Sequence, residues 1–189
     1  MKIRMELLTD VIFGNGLSIP GAEDISVLCD EYGFPYYKGG TFKGVFREEL
    51  NRYLEWTGRD REHLLEILLG RSGDTALENG RKLIFSDFQL SDKVKEQVLK
   101  EIGENKEKVL ECVTHLRTFT SIEDDGVVKE GSLRNCRCVN KGLFFYSEVQ
   151  CAAEDEEMVR EVLAMVKWIG SMRNRGFGKV RIEMTGQEG

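Results

Sequence analysis

A glycine-rich basic segment, Gly170–Gly178, lies between an amphipathic helix pattern and the last predicted strand, and it carries Arg173 and Arg175. Glycine permits positive φ angles and close backbone approach to a ligand, and successive backbone amides can form an anion-binding concavity. The helix–loop–strand order excludes a dinucleotide fingerprint, which needs the strand before the loop and the helix after it. A phosphate-binding P-loop is also excluded, because the segment has no Gly-Lys-Ser/Thr.

Two interpretations of this segment stay open from the residues alone. Paired arginines bind phosphates or stack on bases, which favours an RNA-binding loop; the alternative is a helix C-cap glycine followed by a basic surface turn. The net charge of −6 disfavours a nucleic-acid ligand. However, Val162–Ile182 contains five cations and no acidic residue. A basic edge on an acidic body also suits a subunit that packs against other proteins.

Hydrophobic periodicity predicts an α+β protein. Thr41 is the predicted N-cap of the first helix, and residues 17–40 before it form a long loop, which in a compact domain is usually functional. The whole order is compatible with a single ferredoxin-like (RRM-like) β-α-β-β-α-β domain over residues 1–189, with elaborated loops. The predicted strands are residues 2–8, Arg81–Leu90, Thr114–Ser121, Gly142–Gln150 and Lys179–Met184, and the predicted helices are Thr41–Trp56, Arg61–Leu69, Ser91–Cys112 and Glu156–Ile169.

Composition is that of a folded globular protein, with 41% hydrophobic and 32% charged residues. No apolar run approaches the roughly 20 residues needed to cross a bilayer, and the N-terminus lacks the apolar core of a signal peptide. We therefore expect a cytoplasmic protein without a membrane partner. The five cysteines are expected to be reduced thiols. Cys136 and Cys138 form the only close pair, and no second pair or nearby His completes a zinc site.

Four segments, in order along the chain, together resemble the RAMP superfamily, the ferredoxin-like proteins that build type III CRISPR interference complexes. Gly14–Gly16 is similar to an early glycine-rich turn of that family, and Pro35–Arg47 resembles its turn into the first helix. Ser121–Arg134 resembles the central stretch of backbone subunits in Csm- and Cmr-type complexes. Gly170–Gly178, leading into Lys179–Ile182, resembles the family's C-terminal glycine-rich loop. The matches cover nearly the whole chain.

The resemblance implies a guide-RNA-binding subunit, with guide RNA, target RNA and other RAMP subunits as partners. A thumb-like insertion around residues 117–141 would touch the RNA of a neighbouring subunit. Lys43 and Arg47 match cations that contact guide-RNA backbone in the family; they share one helical face, which is otherwise a solvated face. The expected RNA-binding residues are Lys43, Arg47, Arg173, Asn174, Arg175, Gly176 and Lys179.

Some backbone subunits of the family resemble metal-dependent ribonucleases with an aspartate in the loop after the first strand. Asp24, Asp30 and Pro35 are similar in spacing to the family's catalytic Asp, second Asp and Pro. The resemblance thus makes Asp24 the catalytic residue and the ligand of a divalent cation, Mg²⁺ or Mn²⁺, in cleavage of paired target RNA by 2′-hydroxyl attack.

Three alternative functions remain. The first is a non-catalytic structural RAMP subunit, which keeps the RNA-binding cations without needing Asp24. The second is a metal-free endoribonuclease that processes precursor guide RNA with a general acid/base histidine; its candidates, His63 and His115, lie in settings where a histidine is more often structural. The third is a ferredoxin-like binding protein outside the RAMP family, which the net charge of −6 favours.

Overall fold

The computed structural model describes residues 1–14, 25–70, 81–120 and 132–185. These residues form an antiparallel sheet, a separate two-stranded hairpin and five α-helices. In chain order the elements are β1 (Lys2–Leu7), α1 (Gly39–Thr57), α2 (Arg61–Leu69), β2 (Ile84–Phe85), β3 (Gln89–Leu90), α3 (Asp92–Ile102), α4 (Lys106–Val113), β4 (Thr114–Phe119), β5 (Arg134–Val139), β6 (Phe144–Gln150), α5 (Glu156–Met165) and β7 (Val180–Thr185).

The sheet has the order β2-β6-β1-β7, and β3 also pairs with β6. All of its neighbouring strands are antiparallel. One helix, α1, follows β1, and another, α5, follows β6. This confirms the predicted α+β class and is compatible with the ferredoxin-like plan, in which the broken strand β2/β3 takes the second place. The additions α3, α4 and the β4–β5 hairpin enter the chain between β3 and β6.

The main core lies between the sheet and the two helices α1 and α5. The alternation predicted for β1 buries Ile3, Met5 and Leu7. Removing such aliphatic and aromatic side chains from water is the main favourable term in folding. The helix residues that fill this core are Phe42, Phe46, Leu50 and Leu54 of α1, and Met158, Val159, Val162 and Leu163 of α5.

The first helix begins two residues before the predicted N-cap, Thr41, and Lys38 takes the cap position. The cause is tertiary: Asp87 accepts a hydrogen bond from the Gly39 backbone N–H at 2.8 Å. Gly39 also lies so close to the carbonyl oxygen of Phe85 that a Cβ would be 2.2 Å from it. Asp87 itself lies between β2 and β3, where the predicted single strand Arg81–Leu90 is interrupted.

The lysine- and glutamate-rich segment predicted as one helical stretch, Ser91–Cys112, is two helices. Gly103, at φ 79°, ends α3, and the Asn105 side chain caps the start of α4 by accepting from Lys108 N. No residue of α3 is buried, which agrees with the predicted solvated face. No helix among the described residues is long and apolar enough to span a membrane.

Two further differences lie close to the glycine-rich segment. The last helix ends at Met165 rather than Ile169, and the chain continues in extended form with Val166 and Ile169 still buried. The strand β5, which the polar sequence around it did not predict, pairs along its whole length with β4. Residues 121–131 between these strands, the middle of the predicted thumb-like insertion (117–141), lie outside the described part of the chain. The described ends of that insertion contain the last residues of β4 and the whole of β5.

Candidate nucleic-acid interface

Both ends of the glycine-rich segment are fixed against neighbouring backbone. Gly170, at φ 70°, leaves no room for a Cβ, which would be 2.6 Å from the Ile12 carbonyl oxygen. A Cβ at Gly178, which has a φ of 79°, would be closer still, 1.9 Å from the carbonyl oxygen of Ile169. The Gly178 N–H donates to Asp10 O at 2.9 Å and the Ile169 N–H to Gly178 O at 2.9 Å. These glycines are therefore required by packing inside the chain.

The middle of the segment is an exposed 3₁₀ turn, Arg173–Arg175, which includes Asn174. Met172 before it and Gly176 after it have left-handed φ angles of 56° and 85°. Phe177, 4% exposed, and the half-buried Met172 anchor the turn in an apolar cluster. The two arginine side chains thus project from a turn that is packed against the protein on both sides. This favours a defined position for the backbone that carries the two cations.

That apolar cluster joins the segment to the β4–β5 hairpin. Its buried members are Ile12, Cys136, Cys138 and Phe177. Burial raises the pKa of the Cys138 thiol to about 12, with a smaller contribution from the nearby Asp10 carboxylate. Both thiols therefore act here as small apolar packing groups in the wall beneath the loop.

Cations and aromatic rings alternate across the same junction. The Arg117 guanidinium lies 5.0 Å from the Phe177 ring centroid, and the Arg175 guanidinium lies 6.0 Å from that of Phe119. The two rings meet edge to face at 5.7 Å. Cation–π contacts of this kind hold guanidinium groups in place without neutralising their charge, so Arg175 can be held by Phe119 and still attract phosphate.

Asp10 connects the loop, the hairpin and the turn after β5. Its Oδ1 accepts from Lys141 N at 3.1 Å, and its Oδ2 lies 3.6 Å from His115 Nε2 and 3.9 Å from Arg117 Nη1. The other ring nitrogen of His115, Nδ1, lies 2.6 Å from Asn140 Oδ1. Both ring nitrogens of this histidine are thus engaged in holding the hairpin to the first strand's exit, which favours a structural role.

The predicted cations do not all lie in the same environment. Arg173 is half exposed, with its Nη1 3.9 Å from Glu48 Oε2 on α1. Lys179 is exposed at the start of β7, and its backbone N–H donates to Thr9 Oγ1 at 2.9 Å. The glycine-rich segment therefore carries Arg173 on the side of α1 and Arg175 on the side of the hairpin, with Lys179 at its end.

In the first helix, the guanidinium group of Arg47 is engaged by backbone carbonyl groups of the protein itself. Arg47 donates from Nη2 to the carbonyl oxygens of Leu69 and Gly70, at 3.2 and 2.8 Å, and is half-buried. It thereby satisfies carbonyls at the C-terminus of α2. Lys43 is half-buried on the same helix. A role of either residue in RNA binding remains a prediction.

Two exposed glycines lie in the first turns of α1. Among the described residues, nothing lies within 4 Å of the position that a Cβ would take at Gly40 or Gly44. Glycine in a helix is less stable than alanine by about 0.5–1 kcal/mol. An approaching backbone from outside the chain is one physical reason to leave this helix surface bare.

The buried tyrosine before α1 faces the same region. Burial raises the pKa of the Tyr37 hydroxyl, and a hydrogen bond with the Gly170 backbone and the charge of Arg173 act in the opposite direction. Its ring packs 5.0 Å from that of Phe13. Tyr37 thus ties the start of α1 to the start of the glycine-rich segment.

The predicted catalytic and metal-binding residue, Asp24, lies outside the described residues. Asp30, the second aspartate of that pattern, accepts from the backbone N–H groups of Tyr32 and Phe34 at 3.1 and 2.9 Å. Its Oδ2 lies 3.3 Å from Lys95 Nζ. Asp30 therefore stabilises a turn. In the described ranges, His, Cys, Asp and Glu side chains do not gather into a group of three or more that could hold a metal ion.

The sequence pattern did not indicate that this surface also includes Arg117, Phe119, Phe177 and Asp10. The alternation of His115, Arg117 and Phe119 in β4 was the available signal, since alternate residues of a strand share one face. Nothing in the sequence indicated that this face packs against a loop that follows it by more than fifty residues.

The fold and the site define an α+β protein whose ferredoxin-like sheet carries a basic glycine-rich loop between its last helix and last strand. The family model described as the RAMP superfamily matches residues 4–181, and the chain belongs to that family. No curated protein matches the sequence.

Two solved structures are similar over nearly their whole length. A chain of the cryo-EM structure of the Type III-B Cmr-beta bound to cognate target RNA superimposes with a TM-score of 0.68 at 15% identity, covering 96% of this chain and 95% of that one. A chain of the Type III-B Cmr-beta apo state gives a TM-score of 0.70 at 14% identity, covering 98% and 97%. At this level of identity the similarity shows the fold.

Proposed function

We propose that this protein is a guide-RNA-binding subunit of a type III CRISPR effector complex, in contact with target RNA and with other RAMP subunits. One observation carries the proposal: the Arg173–Arg175 turn projects from clamped glycines and apolar anchors, beside a row of cations and aromatic rings on the hairpin. Family membership and the similarity to chains of Cmr-beta complexes support the choice of partner.

The ligand of this surface is the RNA backbone. Guanidinium groups bind phosphate oxygens through paired hydrogen bonds, and contacts to phosphate position a nucleic acid without reading its sequence. The aromatic rings beneath the arginines fix the cations and offer little free face for bases. We therefore expect tight binding of single-stranded RNA with weak base preference.

Affinity for a single-stranded guide-like RNA at low ionic strength tests the proposal. The variant Arg173→Ala/Arg175→Ala should bind at least about tenfold more weakly, because two charge-assisted contacts are lost. The variant Lys93→Ala/Lys100→Ala removes two exposed cations from α3, so it changes the net charge equally. It should bind like the parent protein. Equal losses in both variants would reduce the effect to net charge and would contradict the site.

We further propose that the subunit cleaves paired target RNA and that Asp24 holds the divalent cation this chemistry uses. The cation, Mg²⁺ or Mn²⁺, would offset charge that develops on the scissile phosphate. Asp30 is engaged in its turn, which leaves Asp24 as the carboxylate of the pattern assigned to cleavage.

The cleavage proposal is tested in the assembled complex. Asp24→Ala should abolish target cleavage while guide binding stays unchanged, and Asp30→Ala should instead lower the stability of the subunit. Chelation of divalent cations should also stop cleavage. If Asp24→Ala cleaves at the parent rate, the subunit is a structural one and its RNA-binding role stands alone.

A further inference from the structure

A polar surface cavity of about 590 Å³, open to solvent, lies next to the glycine-rich loop, between α1 and the chain that follows α5. Arg173 belongs both to this cavity and to the exposed turn of the loop, so the two features form one continuous surface. The lining residues are Glu48, Glu49, Arg52, Met165, Lys167, Trp168 and Arg173.

The wall of the cavity includes an indole ring, that of Trp168, which is 38% exposed. Its backbone is fixed, because Trp168 forms an isolated β-bridge with Lys179 at the entry to β7. A large apolar ring left in contact with water on a rigid stretch of chain is a surface on which a nucleobase can stack. The position immediately before the glycine-rich loop places it beside the proposed path of the RNA.

The charges of the cavity fit a nucleotide better than a bare phosphate. Three cations and two carboxylates line it, a net charge of +1. Glu49 pairs with Arg52 at 3.1 Å, whereas the ion pair that Glu48 forms within the described residues is the longer 3.9 Å contact with Arg173. Carboxylates repel a phosphate but accept hydrogen bonds from the amino groups of bases. The arginine and lysine at the rim can bind the phosphate attached to that base.

We propose that this cavity binds one unstacked nucleotide of the single-stranded RNA, with its base stacked on Trp168 and its phosphate on Arg173 and Lys167. The inference rests on the proposed function, since the RNA must first lie on the glycine-rich loop. It adds a base-holding pocket that phosphate contacts alone do not require. Such a pocket would splay one base out of the strand at a fixed distance from the arginine turn.

The chain has two tryptophans, which makes the test direct. The other, Trp56, is 76% exposed at the end of α1 and does not line the cavity. The variant Trp56→Phe keeps Trp168 as its only tryptophan, and Trp168→Phe keeps only Trp56. Each is titrated with a single-stranded RNA, with excitation at the red edge of tryptophan absorption so that tyrosines do not contribute.

Quenching on saturation with RNA is expected in Trp56→Phe and not in Trp168→Phe, because only Trp168 stacks on a base. In parallel, Trp168→Ala should lower RNA affinity by about 5-fold to about 100-fold, the effect typical of one lost base–aromatic contact. Trp56→Ala should leave affinity unchanged.

The outcomes separate the two claims. If Trp56→Phe binds RNA with the parent affinity but its fluorescence does not change, the base pocket is wrong and the RNA-binding function stands. If neither the parent protein nor Trp56→Phe binds RNA at low salt, both the RNA-binding function and the base pocket are wrong. If Trp168→Ala proves poorly folded, the fluorescence of Trp56→Phe still decides the question.

Discussion

Gly176 and Gly178 both have positive φ angles, but only Gly178 also lies against a carbonyl oxygen. An alanine at Gly176 meets open space and carries the backbone strain alone, about 1–2 kcal/mol. An alanine at Gly178 adds a steric conflict with Ile169, and overpacking of this kind costs about 1–3 kcal/mol more. The two positions therefore separate strain from packing within one loop.

We predict that Gly178→Ala lowers the free energy of unfolding by about 2–5 kcal/mol and Gly176→Ala by about 1–2 kcal/mol. Urea unfolding followed by circular dichroism measures both. Equal losses would mean that the loop relaxes away from Ile169 and that its end is not clamped.

Cys138 connects burial with pH. Burial raises its pKa from 9.0 to about 12, so the folded state holds the thiol proton more tightly than the unfolded chain does. The stability that this difference contributes is complete below pH 9 and is lost as the pH rises towards 12.

We therefore predict that the free energy of unfolding falls between pH 9 and about 11, and that this slope is shallower in Cys138→Ala. A single group of this kind contributes at most about 1.4 kcal/mol per pH unit. Cys112→Ala is the matched control, because Cys112 is exposed and should leave the slope unchanged. A slope that Cys138→Ala does not alter would contradict the buried position of the thiol.

At the scale of elements, Arg47 belongs to the contact between α1 and α2. Its guanidinium satisfies two carbonyl groups at the end of α2, and hydrogen bonds to charged groups contribute about 1.5–3 kcal/mol. Arg52 on the same helix pairs with Glu49 at the surface, where an ion pair contributes about 0–1 kcal/mol.

Arg47→Ala should therefore lower the free energy of unfolding by about 1.5–3 kcal/mol, and Arg52→Ala by less than about 1 kcal/mol. Denaturant unfolding of both variants checks this. If Arg47→Ala is as stable as the parent but binds RNA poorly, the guanidinium serves RNA and not the helix junction.

For the exposed glycines of α1 we predict that stability and RNA affinity change in opposite directions. Gly44→Ala should raise the free energy of unfolding by about 0.5–1 kcal/mol, because no atom in the described ranges lies close to the added methyl group. If RNA backbone approaches this helix closely, the same variant should bind RNA more weakly. Higher stability with unchanged affinity would remove α1 from the interface.

The elements that sequence periodicity predicts best are those that bury one face in a single core. The alternation in β1 and the apolar spacing of α1 predicted these elements correctly, because in each the apolar residues are the ones buried in the core. The strand β5 was not predicted because Cys136 and Cys138 face only a small apolar cluster and the residue between them is a charged one, Arg137. The start of α1 shifted because Asp87, far along the chain, binds its first backbone N–H.

Across the whole molecule, the net charge is −6, yet cations from distant parts of the chain, such as Arg117 and Arg175, form a basic edge. The sequence predicted the arginines of the glycine-rich loop as candidates, but not their support. Arg117 of the hairpin joins Arg175 only through packing of Phe119 on Phe177. Such contacts depend on tertiary structure, and no local pattern in a single sequence reports them.

The salt dependence of RNA affinity tests the central claim most directly. Each phosphate contact to a single strand adds about 0.7 to the slope of log affinity against log salt. If Arg173 and Arg175 each bind one phosphate, Arg173→Ala/Arg175→Ala should show a slope shallower than the parent's by about 1.4. A variant with weaker binding but the parent slope would contradict the account, because the arginines would then support the fold of the loop and not bind RNA.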